Sequence, residues 1–135
     1  MTYIFPQDAD EFEKDWLSEE AKERGTLWIF KPSASSCGKG IWILDKETPI
    51  PANKKGFIIS EYISNPHIID EKKYDLRIYV LVTSFNPLTI YIYEDGLVRF
   101  ATVKYSLDPE AFDNKFIHLT NYSINKKNED YIQNK

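Results

Sequence analysis

Hydrophobic and polar side chains alternate over a long stretch that begins at Asp75. Apolar residues at positions 76, 78, 80 and 82 alternate with Arg77, Tyr79, Leu81 and Thr83. This period of two predicts a long strand with two distinct faces, and it places Asp75 and Arg77 on the same face. Apolar runs follow at residues 88–93 and 97–103, after Asn86-Pro87 and Glu94-Asp95-Gly96, each of which is interpreted as a turn. The pattern therefore predicts three strands in an antiparallel meander.

The first third of the chain combines a helical pattern with short apolar runs. Asp8 and Glu11 resemble a capping box, and Gly25 is a plausible C-cap, so one helix of about four turns is predicted between them. Residues 27–30, 41–44 and 57–59 predict short strands, and residues 45–55 predict a surface connection. Asp108-Pro109 predicts a helix start. These elements indicate an α+β fold with an antiparallel sheet and flanking helices.

Composition restricts the class of protein. The 135 residues suffice for one domain, and 42% apolar and 15% aromatic content predicts a folded core. A net charge of −4, with both signs mixed along the chain, does not favour nucleic acid as a partner. No apolar run approaches the length of a membrane span, and the single Cys37 cannot form an intramolecular disulfide. A reducing, cytosolic compartment is therefore expected.

Residues 31–40 are the clearest local signal for a ligand. Lys31 is followed by a loop of small residues that contains Cys37, Gly38 and Gly40. Such a loop allows backbone N–H groups to approach a polyphosphate, while the lysine supplies positive charge. It matches neither a Walker loop nor a dinucleotide fingerprint. Two interpretations of residues 31–40 therefore remain possible, a nucleotide-binding loop and a flexible hairpin.

Three further polar groups are candidates for binding. Lys73, Tyr74 and Asp75 stand at the head of the long strand, where they could hold phosphates or form a surface ion pair. Arg99 lies in an apolar strand and needs an anion, which could be a ligand carboxylate, a phosphate or a nearby Asp or Glu. Residues 118–123 are densely polar and either line a site or cap a turn. His67 and His118 are isolated in sequence, so a zinc site is not expected, and Cys37 has no His near it in sequence to support a thiol nucleophile.

The order of these motifs resembles the tubulin tyrosine ligase-like family. The resemblance covers about residues 27–126. Its motifs are Phe30-Lys31-Pro32, Gly38-Lys39-Gly40, residues 61–66, residues 73–84, residues 96–102 and residues 118–126. The last motif is most similar to the glutamylase members.

The resemblance implies a partial ATP-grasp fold and assigns roles to individual residues. Lys31 and Arg99 are the residues expected to carry catalysis, Lys31 by binding phosphate and Arg99 by holding the carboxylate of the incoming amino acid. Tyr122 and Ser123 would assist Arg99. The other implied nucleotide contacts are Cys37 and Gly38 in the loop, Ser60, Glu61, Tyr62 and Ile63 in the hinge beside adenine, Lys73, Tyr74 and Asp75, and Thr120 with Asn121.

The implied activity is ATP-dependent ligation of free glutamate to glutamate side chains in tubulin tails through an acyl phosphate. Tubulin or microtubules would be the acceptor, ATP and Mg²⁺ the cofactors, and the cytoplasm and cytoskeleton, including the cilium, the location. The family's magnesium ligands lie beyond the last position of this sequence, and its N-terminal domain is also absent. We therefore expect one partial domain over residues 1–135, part of a longer protein, with little ligase activity on its own.

Two alternatives remain open at the level of sequence. One is a non-catalytic module that binds nucleotide or tubulin, consistent with Cys37 and Ser60 at positions where family members commonly carry Arg and Gln. The other is ligation of tyrosine or glycine by a member of the same family.

Overall fold

The protein is described by a computed structural model over residues 1–35, 38–45 and 56–132. Its strands are β1 (Thr2–Phe5), β2 (Trp28–Pro32), β3 (Trp42–Leu44), β4 (Phe57–Glu61), β5 (Ile68–Ile69), β6 (Lys72–Phe85) and β7 (Leu88–Phe100). Its helices are α1 (Ala9–Leu17), α2 (Glu19–Arg24), the 3₁₀ turn α3 (Pro109–Ala111), α4 (Lys115–His118) and α5 (Tyr122–Asn125). The α+β class is confirmed. The predicted loop residue Cys37 and most of the predicted connection 45–55 lie outside the described residues.

Four strands form an antiparallel sheet in the order β1-β4-β2-β3. Alternation along β2 places Trp28 and Phe30 on one face of this sheet, in a core with Phe12 of α1. Phe12 has no exposed surface and meets Trp28 edge to face, with 5.1 Å between ring centroids. We call the face of this sheet that carries Trp28 and Phe30 the outer face.

The opposite face of the same sheet, the inner face, carries Ile29 and Ile43. These two side chains pack with Tyr62 and Leu119 in a second core cluster. Alternation along β2 puts Lys31 on the inner face too, two residues after Ile29. The inner face therefore carries the charged side chain of Lys31 and also packs against Leu119, which belongs to the segment that follows β7.

The single predicted helix is wrong, because the chain breaks at Ser18. Ser18 has extended backbone angles (φ −62°, ψ 142°), and its hydroxyl accepts a hydrogen bond from the Ala21 amide, so it ends α1 and caps α2. Asp8 stands at the N-cap of α1, but its carboxylate accepts from Ile4 N instead of from the helix. Gly25 is confirmed as a C-cap, with φ of 61°.

The predicted three-stranded meander is also wrong. Residues 94–96 do not turn, since β7 continues through them as the partner of the 14-residue β6. The register shifts between Ile78, which pairs with Gly96, and Val80, which pairs with Ile92, so the extra residues form a bulge. A Cβ at Gly96 would lie 2.7 Å from the Arg77 carbonyl oxygen, so this close pairing requires glycine.

The β6–β7 hairpin and the sheet edge contain two further differences from prediction. β5 adds a short third strand to β6, and β1 forms an edge of the four-stranded sheet; neither strand was predicted. Most apolar side chains of the hairpin are exposed on both faces.

The helix start predicted at Asp108-Pro109 is confirmed as α3, where the Asp108 carboxylate accepts from Glu110 N at 3.2 Å.

Candidate functional site

Lys73 and Lys31 bring two positive charges together over the inner face. Lys73 is the second residue of β6, and Lys31 lies near the end of β2. Burial, and to a lesser extent repulsion by Lys31, lowers the pKa of Lys73 to about 8, while the carboxylate of Asp75 acts in the opposite direction. A partly buried ammonium beside a second cation favours an anionic ligand.

Tyr62 lies directly beneath Lys73. The Lys73 Nζ donates to the Tyr62 hydroxyl at 3.0 Å and stands 4.4 Å from the centroid of its ring. The Tyr62 hydroxyl in turn lies 3.0 Å from His118 Nδ1. Burial raises the pKa of Tyr62 and lowers that of His118, so both are neutral near pH 7.

Asp75 and Arg99 form an ion pair across the β6–β7 hairpin. They are direct register partners; Arg99 Nε donates to Asp75 Oδ1 at 2.8 Å, and Arg99 Nη2 donates to Asp75 Oδ2. This bidentate bond raises the pKa of Arg99. The sequence left several anionic partners possible for Arg99. In the structure its partner is the neighbouring Asp75. A ligand carboxylate at Arg99 stays a prediction.

The glycine loop and residues 120–123 meet at Gly38. Gly38 is buried with φ of 72°, and a Cβ there would overlap the Cδ1 methyl of Ile124 and lie 3.1 Å from Asn121 Oδ1. Asn121 and Thr120 are half-buried beside it. The structure thus brings together Gly38 and Asn121, which are 83 positions apart in the sequence.

Three other predicted site residues, Tyr122, Ser123 and Tyr74, do not share the contact between Gly38 and Asn121. Tyr122 is half exposed, and its ring contacts Tyr131 and Lys126. Ser123 is half-buried within α5. Tyr74 is adjacent to Lys73 in β6 and so faces the other side of the hairpin, where its hydroxyl lies 3.1 Å from His67 Nδ1.

Gly38 allows a direct stability prediction. Gly38→Ala and Gly25→Ala both place a side chain at a left-handed φ, which costs about 1–2 kcal/mol. Around Gly25 a new Cβ meets nothing within 4 Å, whereas at Gly38 it displaces Ile124. We expect urea unfolding to show Gly38→Ala as the less stable variant by about 1 kcal/mol. Equal stability of the two variants would contradict the close contact between the loop and α5.

The segment 60–63 lies at the end of β4 beside an open pocket of about 520 Å³. Ser60 accepts from the Thr2 hydroxyl at 3.3 Å, and Glu61 lies 3.5 Å from the amino group of Met1. Ile63 is exposed. Tyr62 is therefore the only member of this segment that we connect to the two lysines.

A second cavity, of about 210 Å³, lies on the inner face beside β3. It is lined by apolar side chains, among them Ile41, Trp42 and Phe112, together with His118 and Lys115. His118 separates this cavity from Tyr62, because its ring packs edge-on against Tyr62 and against Tyr105.

Asn125 connects the segment after β7 to residues 119–125, and in the sequence it was identified only as part of the motif at residues 118–126. Its side chain is 1% exposed. Its Oδ1 accepts from the Thr102 amide and hydroxyl, both at 2.9 Å, and its Nδ2 donates to the carbonyls of Leu119 and Asn121. These bonds tie residues 119–125 to the chain just after β7. Asn125 stands between Ile124 and Lys126, so the sequence does not show that its side chain faces inward.

The described residues also bear on metal binding and on membrane spans. Within residues 1–35, 38–45 and 56–132, no group of three or more His, Cys, Asp or Glu side chains could hold a metal ion. In those same ranges no helix is long and apolar enough to cross a membrane.

Comparison with known proteins gives the family. The fold is α+β, consistent with a partial ATP-grasp-like architecture, and the Tubulin-tyrosine ligase family matches residues 1–135. The chain belongs to this family. It is 46% identical over 132 residues to human "Tubulin polyglutamylase TTLL5" and 46% identical over 134 residues to human "Tubulin monoglutamylase TTLL4", which covers 98% and 99% of the chain. It is 44% identical over 136 residues, its whole length, to "Tubulin polyglutamylase ttll-4" of Caenorhabditis elegans.

The chain spans only part of these relatives. It covers 10% of the human polyglutamylase, 11% of the human monoglutamylase and 22% of the nematode protein.

Proposed function

We propose that this chain is the nucleotide-binding and amino-acid-binding core of an ATP-dependent amino acid–protein ligase that adds glutamate to tubulin. The observation that carries the proposal is the convergence of Lys31 and Lys73 on the inner face, where Lys73 is partly buried. The printed names of the relatives, which are tubulin polyglutamylases and a monoglutamylase, support the choice of donor and acceptor.

The two lysines fit the polyphosphate of ATP. Phosphate oxygens between Lys31 and Lys73 would offset their mutual repulsion. Gly38, Thr120 and Asn121 would cover these phosphates, and the packing of Gly38 against Asn121 supports their grouping. The backbone of residues 60–63 and the 520 Å³ pocket beside it would receive adenine. Since the described residues offer no cluster of metal ligands, the Mg²⁺ that accompanies ATP would be held by residues outside them.

Arg99 would hold the carboxylate of the incoming glutamate, with Tyr122 and Ser123 near it. The bond to Asp75 uses Nε and Nη2 of Arg99, so the glutamate carboxylate must share this guanidinium with Asp75 or displace it. The pairing also fixes the orientation of Arg99 before glutamate arrives, which lowers the entropy cost of binding.

The reaction would proceed in two steps. A side-chain carboxylate in a tubulin tail attacks the γ-phosphorus of ATP, which forms an acyl phosphate and releases ADP. The amino group of free glutamate then attacks the acyl carbon; the C–O bond to phosphate breaks, inorganic phosphate leaves with its electron pair, and the amine loses a proton. The product is an isopeptide bond. Lys31 and Lys73 would stabilise negative charge that develops on the transferred phosphoryl group.

Thermal denaturation tests the nucleotide part of the proposal. Mg-ATP is expected to raise the midpoint of unfolding, because it binds the folded chain. Lys31→Ala should weaken ATP binding about tenfold and remove most of this shift. Lys14→Ala, which removes a lysine from α1 on the outer face, is the matched control and should keep the full shift.

The two rival outcomes are distinct. A shift that Lys31→Ala leaves unchanged would place ATP elsewhere on the chain. A cooperatively folded chain with no shift at all would contradict the proposal of a nucleotide site.

A further inference from the structure

A chain of hydrogen bonds runs from the Lys73 ammonium to the backbone of α3. Lys73 Nζ lies 3.0 Å from the Tyr62 hydroxyl, that hydroxyl lies 3.0 Å from His118 Nδ1, and His118 Nε2 lies 3.2 Å from the Ala111 carbonyl oxygen. Four groups from four separate parts of the sequence therefore form one connected line. His118 was predicted as an isolated polar residue.

The hydrogen atoms of this line have a single consistent arrangement. The Ala111 carbonyl can only accept, so His118 Nε2 carries a proton and donates it. The neutral imidazole then accepts at Nδ1 from the Tyr62 O–H, which leaves the Tyr62 oxygen to accept from Lys73. Burial, and to a lesser extent the charge of Lys73, lowers the pKa of His118 against the opposing bond to Ala111, which favours this neutral form.

The two middle residues of the line are fixed by packing. Tyr62 is 5% exposed and His118 is 4% exposed, and their rings meet edge to face at 82°. The His118 ring also packs against Tyr105 and Phe112. A lysine side chain has many rotamers, so an acceptor that cannot move restricts where its ammonium lies.

We propose that Tyr62 and His118 are positioning residues that hold the Lys73 ammonium in place for a phosphate group of the nucleotide. The inference rests on the proposed function, because it presumes that Lys73 contacts phosphate. Tyr62 belongs to the segment proposed to hold adenine, so one side chain connects the two ends of the nucleotide site. His118 acts only through Tyr62, since its ring nitrogens are both occupied within the protein.

Calorimetric titration of the full chain tests this role with two ligands. Tyr62→Phe keeps the ring but removes the hydroxyl, so Mg-ATP should bind about tenfold more weakly while adenosine, which has no phosphate, binds as before. His118→Leu should weaken Mg-ATP binding in the same direction, because the Tyr62 hydroxyl loses its bond to Nδ1 and keeps only Tyr105 as a side-chain partner besides Lys73. His118→Asn keeps an acceptor oxygen near the position of Nδ1 and should retain most of the ATP affinity.

The pair of half-buried Tyr74 and exposed His67 provides a matched control. It has the same hydroxyl-to-Nδ1 geometry, at 3.1 Å, and the same edge-to-face ring contact, at 87°. His67→Leu is expected to leave the affinity for both ligands unchanged.

A measurement without ligand separates this inference from the proposed function. The titration of Lys73, followed by the ¹³Cε chemical shift, should have its midpoint near 8 in the native chain. In Tyr62→Phe the midpoint should fall, because the charged amine loses an acceptor. An unchanged midpoint together with unchanged ATP affinity would overturn the positioning role and leave the proposed function standing. Failure of the native chain to bind ATP would overturn the proposed function and this role with it, even if the midpoint moves.

Discussion

Replacing Asn125 with leucine is expected to lower the free energy of unfolding by about 3–4 kcal/mol, because leucine fills a similar volume but makes no hydrogen bond. The Thr102 amide and the Leu119 carbonyl lose the buried side chain that pairs with them. The Asn121 carbonyl keeps the amides of Ile124 and Asn125 as donors. The cost therefore comes mainly from two backbone groups left unpaired in the interior.

Asn128→Leu is the matched control for this change. Asn128 donates to the Thr102 hydroxyl at 2.8 Å and accepts from Asp130 N, and it is only half-buried. Its loss should cost about 1 kcal/mol, since water can reach the groups that it leaves. Urea unfolding followed by circular dichroism measures both variants. Similar stability of the two would show that the Asn125 network does not hold residues 119–125 to the end of β7.

Lys73→Met is expected to separate stability from binding. At pH 7 the variant should be more stable than the native chain by about 1–3 kcal/mol, because it removes a partly buried charge that lies near Lys31. The same change should weaken Mg-ATP binding about 100-fold, since a partly desolvated ammonium is little screened from a phosphate. Stability would thus be gained where function is lost.

The stability gain of Lys73→Met depends on pH in a defined direction. The folded pKa of about 8 lies below the unfolded value of 10.5, so the unfolded chain binds more protons between these limits. The stability of the native chain therefore rises from pH 8 to pH 10.5 through this group, and the advantage of the variant should shrink over the same range. Urea unfolding at pH 7 and pH 10 measures the difference.

Lys104→Met provides the control for the loss of a positive charge. Lys104 is exposed and pairs with Glu71, so its replacement should change stability by about 0.5 kcal/mol or less. A destabilised Lys73→Met at pH 7 would mean that the charge of Lys73 is stabilising in the fold, which contradicts the lowered pKa.

Local pattern predicted the elements that local chemistry determines. The alternation after Asp75 identified β6, and Gly25 identified a helix end, because each signal depends on residues that are close in sequence. Glu94-Asp95-Gly96 has the composition of a turn, yet β6 is long enough to pair with residues on both sides of it. Pairing with β6 therefore keeps these residues in a strand, although their composition favours a turn. Ser18 was missed because a serine within a helical pattern can either continue a helix or cap the next one.

The candidate site could be predicted only as separate pieces. Lys31, Lys73 and the loop around Gly38 were identified individually, and the family resemblance assigned their roles. His118 lies 56 positions from Tyr62, so no sequence window contains both. The pairing of Asp75 with Arg99 depends on the hairpin register, which the misassigned turn concealed. These contacts are set by packing between distant segments.

Mapping Mg-ATP onto the chain by amide chemical shifts shows whether the nucleotide binds between Lys31 and Lys73. Saturable shifts are expected at the proposed nucleotide contacts, and little change is expected along α1 on the outer face. The expected shifts are at Lys31, Gly38, Tyr62, Lys73 and Asn121. Shifts confined to α1, or no saturable shifts in a folded chain, would contradict a nucleotide site between the two lysines.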